Sequence, residues 1–69
     1  MQAEHYRGYT VRGVGWPKAN GQCEASGGIE HGNRLIYHSE EIGEFPSLRA
    51  AAQGGLDWAK AWVDAHRGP

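Results

Sequence analysis

Apolar and polar side chains alternate along residues 6–14, YRGYTVRGV, and the alternation predicts a strand. Tyr9 and Val11 share one side of it, and Tyr6, Thr10 and Arg12 share the other. Pro17 then removes a ladder donor, and Asn20-Gly21 is a favoured turn pair because both residues tolerate positive φ. A hairpin follows into a second strand over residues 22–30, where Cys23, Ala25 and Ile29 alternate with Gln22, Glu24, Ser26 and Glu30. Gly27-Gly28 in its middle predicts a bulge, a bend or a close neighbour. His31-Gly32-Asn33 reads as the next turn and residues 34–38 as the third strand, with Leu35 and Tyr37 on one face and Arg34, Ile36 and His38 on the other. Residues 39–43 form an acidic loop, anchored to the core by Ile42 and Phe45.

From residue 48 onward the period changes to that of a helix. Ser47 is the expected N-cap, and Gly68-Pro69 the stop. Leu48, Ala52, Gly55, Leu56, Ala59, Trp62 and Val63 fall on one stripe, with His66 near the end where the helix dipole favours a cation. On the opposite side Asp57, Lys60, Asp64 and Arg67 stand at three- and four-residue spacing, suited to ion pairs within the helix. Gly54-Gly55 disfavours the helix locally, and a close approach of its backbone to the sheet explains it. The expected architecture is α+β: three antiparallel strands packed on one face by a single C-terminal amphipathic helix. The expected core is Tyr9, Val11, Ala25, Ile29, Leu35, Tyr37, Ile42, Phe45, Leu48, Ala52, Leu56, Ala59, Trp62 and Val63.

Sixty-nine residues make one domain, with residues 1–4 and 67–69 expected to fray. So short a chain buries only about 60% of the surface its unfolded form exposes, so a partner would help to stabilise it. Cys23 is the single cysteine, which excludes an internal disulfide and, with no signal peptide in view, favours a reducing, cytoplasmic setting. No apolar run reaches the length needed to span a bilayer. A net charge of -1 lacks the electrostatic footprint of a nucleic-acid binder.

Candidate chemistry is correspondingly sparse. His5, His31, His38 and Cys23 could ligate a metal, yet no pair has the spacing of a zinc motif, so neither metal nor cofactor is expected. Cys23 reads as a core thiol and Glu40-Glu41 as a solvated acidic turn. A two-layer domain of this size rarely encloses a substrate cavity, and neither an enzyme nor a small-molecule substrate is expected.

Two surfaces remain. The first is a strip beside the core stripe, made of Ala51, Gly54, Trp58, Ala61 and Ala65, in which small residues flank one indole. Trp58 either folds over the sheet edge or stays open to a partner, which would be a second copy of the chain or another protein. The second is the open sheet face, where Tyr6, Arg12, Arg34, Ile36 and His38 could stack and neutralise single-stranded nucleic acid. Glu24 and Glu30 on that face oppose phosphate, and cross-strand Arg–Glu pairing is the simpler reading. Either outer strand also offers backbone groups for edge pairing.

The run FPSLRAAAQGGLDWAKAWVD at residues 45–64, with YRGYTV upstream, resembles a group of small proteobacterial proteins that carry a Tyr-x-Gly-Tyr strand and end in an Ala- and Trp-containing helix. That resemblance implies architecture and no activity. The strand–strand–strand–helix order is also similar to HicB-type antitoxins, although the acidic loop at residues 39–44 departs from them and no DNA-binding segment follows. It implies a protein-binding habit, with an antitoxin-like regulator as one form of it, and no residue roles.

Overall fold

Tight turns divide the chain more finely than its hydrophobic alternation does. The computed structural model describes residues 2–66. Arg7 and Gly8 both take positive φ, 52° and 87°, and make a two-residue hairpin turn between β1 (Gln2–Tyr6) and β2 (Tyr9–Pro17). Gly32 and Asn33, at 58° and 64°, do the same between β3 (Cys23–His31) and β4 (Arg34–His38). The β2–β3 connection carries Gly21 at φ 85°, and the Asn20 side-chain oxygen accepts the Gln22 N–H at 2.9 Å.

The fold is α+β: an antiparallel sheet in the order β1-β2-β3-β4, with a short β5 (Glu44–Phe45) also paired to β3, and one C-terminal helix, α1 (Leu48–His66). The sheet therefore has more than the three strands expected. Residues 2–4, read from the sequence as a fraying end, pair with Gly13, Arg12 and Val11. The run over residues 6–14 is interrupted by the Arg7-Gly8 turn. Tyr6 consequently lies directly across from Tyr9 and on the same face as it, not on the opposite face as an unbroken strand would require.

On the helix side the pairs Val11–Ile29, Gly13–Gly27 and Gly15–Ala25 form the centre of the sheet. Glycine at three of these six positions lets the helix backbone settle onto the strands. A Cβ on Gly13 would overlap the Ala52 carbonyl oxygen and the Leu56 amide nitrogen, and one on Gly55 would overlap the Ser26 carbonyl oxygen. Val11, Ile29, Leu56, Ala59 and Val63 form one buried cluster; Cys23, Ala25 and Ala51 form a second, with Ile42 and Phe45 against it. Ser47 caps the helix by accepting the Ala50 N–H at 3.1 Å. The predicted stop at Gly68-Pro69 lies outside the described residues. No described helix is long and apolar enough to cross a membrane.

Three expected core residues lie elsewhere. β3 and β4 shift register between Ile29 and Glu30: Ile29 faces Tyr37, Glu30 faces Leu35, and Ile36 is the extra residue of a bulge. The bulge splits Leu35 from Tyr37, sending Leu35 to the open face with Glu30, and Leu35 and Tyr37 are both exposed. Leu48, in the first helical turn, is exposed as well. Two helix charges pair across to the sheet, while the expected partner Arg67 lies outside the described residues. Lys60 pairs with Glu4 at 2.6 Å, and Asp64 accepts from Tyr6 at 2.9 Å and from Arg7 at 3.1 Å, so these groups tie α1 to β1 and its turn.

Candidate protein interface

β4 is exposed along its whole length and lies at an edge of the sheet. Its three central residues are large and apolar, with Leu35 59%, Ile36 41% and Tyr37 47% exposed. Edge strands are ordinarily protected by lysine, proline, short length or a cover. β4 has only the Ile36 bulge and the flanking Arg34 and His38.

Behind this edge stands an aromatic seam. Tyr37, on the helix side of β4, stacks on Trp62 (centroids 5.7 Å apart, planes 12° apart) and on Trp58 (5.8 Å, 27°). His66 continues it, 4.0 Å from Trp62 and nearly parallel, with its Nδ1–H directed to the Trp62 carbonyl at 2.8 Å. Trp58, Trp62 and His66 follow one another at four-residue spacing, which sets them in a line along α1. Phe45 extends the seam at the other end: its ring fills the space above Gly54, where a Cβ would collide with it.

The small-residue strip is only partly a surface. Ala51 is fully buried, with its Cβ against Gly15, because a helix lying so close to glycines buries more of its circumference than a stripe of 3.6 periodicity implies. Gly54 is covered by Phe45. Trp58 is half-buried over Gly27 and Tyr37, while Ala61 and Ala65 remain exposed beside it. Trp58 thus borders the β4 edge, Ala61 and Ala65 are exposed on the helix, and Ala51 belongs to the core.

The five residues expected on the open face are not brought together. Tyr6 is on the helix side, bonded to Asp64. Arg34 pairs with His31, which packs on Tyr9 and so shares the helix side. Arg12 does face the open side, where its guanidinium donates to both Glu30 oxygens, at 3.1 and 3.3 Å. Ile36 is in the bulge, and His38 does face the open side, over Gly28 in the same cross-strand row as Arg12. The Arg–Glu pair is the cross-strand arrangement expected of a solvated face, and the guanidinium of Arg12 is engaged.

Beyond β4 the chain stays on the same edge. Ser39 is buried and clamps Gly27, donating its N–H to the Gly27 carbonyl and accepting the Gly27 N–H at its Oγ, each at 2.8 Å. Glu40 and Glu41 then border a groove on the open face, and both are exposed, as expected of a solvated acidic turn. Cys23 is buried, and among the described residues no group of three His, Cys, Asp or Glu side chains is placed to hold a metal ion. No family model matches the chain, and neither a curated protein nor a solved structure matches it.

Proposed function

We propose that the protein is a non-enzymatic protein-interaction module that associates by extending its sheet at β4, in the first instance with a second copy of itself. The exposed apolar run Leu35-Ile36-Tyr37 on an edge strand is the observation that carries this reading. A strand laid along β4 would satisfy its outward N–H and C=O groups and cover Tyr37 and the half-buried indoles behind it. Identical strands meeting antiparallel are related by a two-fold axis, so one surface serves both copies and the assembly closes as a dimer. The small size of the chain favours such a partner, since its own helix–sheet contact is made largely of alanine and glycine. Sedimentation of the wild-type chain against Ile36→Lys tests the proposal. Ile36 supports no buried cluster, so the lysine leaves the fold intact and places a charge in the pairing edge.

A further inference from the structure

β4 begins at Arg34 and ends at His38, and both are exposed. His38 stands on the open face, opposite Gly28 and in the same cross-strand row as Arg12. Leu35, near the other end of β4, shares that face through its pairing with Glu30 and is 59% exposed. Two copies of β4 that meet antiparallel run in opposite directions about their two-fold axis, so the His38 end of each lies along the Arg34-Leu35 end of the other. In such a pair each imidazole comes against Leu35 of the second copy, with Arg34 of that copy next to it.

Histidine is the side chain that ordinarily changes charge between about pH 5 and about pH 8. In a single copy the His38 ring is open to water, which hydrates either form. Across the pair the charged form loses hydration against Leu35 and meets a like charge at Arg34, whereas the neutral ring packs as apolar surface. The remaining charges near the ring act with or without a second copy. Arg12 is engaged by Glu30, its Nε donating at 3.1 Å, and Glu40 and Glu41 border the same groove as His38 on its own chain. Gly28 of β3 and Ala3 of β1, the other members of its row, carry no charge. Glu30 of the second copy stands behind Leu35, neutralised in the same way by its own Arg12.

We propose that His38 makes pairing at β4 pH-dependent: two copies associate while the imidazole is neutral and part as it takes up a proton. This rests on the β4 reading and adds the condition under which that interface forms. A dimer carries two such rings, so the effect counts twice. A preference of one pKa unit for the neutral form at each ring weakens the dimer up to about a hundredfold in acid.

The test is sedimentation velocity of the full chain at about pH 8 and about pH 5.5 in matched salt, with circular dichroism to follow helix and sheet at both. A dimer Kd about tenfold or more weaker in acid, with His38→Gln dimerising alike at the two values, supports the switch. A wild-type dimer equally strong at both values, or a His38→Gln chain that still weakens in acid, overturns the switch and leaves β4 pairing standing. A wild-type chain that is monomeric at the higher pH overturns both.

Discussion

Tyr37 and Trp62 stack with ring centroids 5.7 Å apart and planes inclined by 12°, joining the edge strand β4 to the C-terminal half of α1. Because Tyr37 also stacks on Trp58, one side chain of an exposed strand braces two helix residues four positions apart. The edge is thus held in shape from behind while its outer groups stay open, the condition a strand needs to template another.

Trp58→Ala should therefore damage the fold more than a surface change would. The indole covers Gly27 and packs against Tyr37, and its loss strips partner atoms from both. A loss of about 2–4 kcal/mol in denaturant unfolding is expected, toward the low side of fully buried aromatic truncations. A change within about 0.5 kcal/mol would show that Trp58 is a plain surface residue.

Gly13→Ala and Gly28→Ala should differ sharply, although both sit in the centre of the sheet. A methyl on Gly13 meets the backbone of Ala52 and Leu56, which can yield only if the helix lifts; about 3 kcal/mol or more is expected, enough to unfold much of so small a domain. A methyl on Gly28 meets the His38 ring at 3.5 Å and the Tyr37 carbonyl oxygen at 4.0 Å, ordinary contacts that should be tolerated. Thermal unfolding of the two variants reads the difference directly.

Acid sensitivity should centre on Lys18 and its carboxylates. Lys18 holds Glu24 and Glu44 below their ordinary value of 4.5. A depressed carboxyl stabilises the fold fully above its unfolded pKa, and that stability is lost as pH falls through the folded value. Glu41 runs the other way: its raised pKa favours the fold while it is protonated, and that contribution is lost as pH rises through its folded value. Lys18→Met should lower stability at neutral pH and flatten the decline between about pH 5 and about pH 2. Glu41→Gln should stabilise the domain relative to wild type at neutral pH and not in acid. Unfolding midpoints measured across pH check both signs.

The helix, its Ser47 cap, the close approach at Gly55 and the turns at Asn20-Gly21 and Gly32-Asn33 were legible in the sequence, because each rests on local chemistry that the fold did not override. The turn at Arg7-Gly8 was not, since arginine seldom takes positive φ and the flanking tyrosines read as one continuous strand. Missing that turn hid β1 and put Tyr6 on the wrong face. The bulge at Ile36 leaves no mark in RLIYH, yet it decides that Leu35 and Tyr37 face opposite sides. Trp58 was identifiable as an odd aromatic beside the core stripe, but its stacking on Tyr37 depends on register across strands. The groove was illegible for a similar reason: Trp16, Ser26 and Glu41 come to line it only when the segment after β4 runs on along β3.

Sedimentation velocity from micromolar to millimolar concentration, on wild type and Ile36→Lys, addresses the β4 interface most directly. Pairing at β4 predicts that the wild-type chain moves from monomer to dimer as concentration rises, and that Ile36→Lys stays monomeric with an unchanged helix and sheet signature. A wild-type chain that remains monomeric throughout, or an Ile36→Lys variant that dimerises equally well, would contradict it.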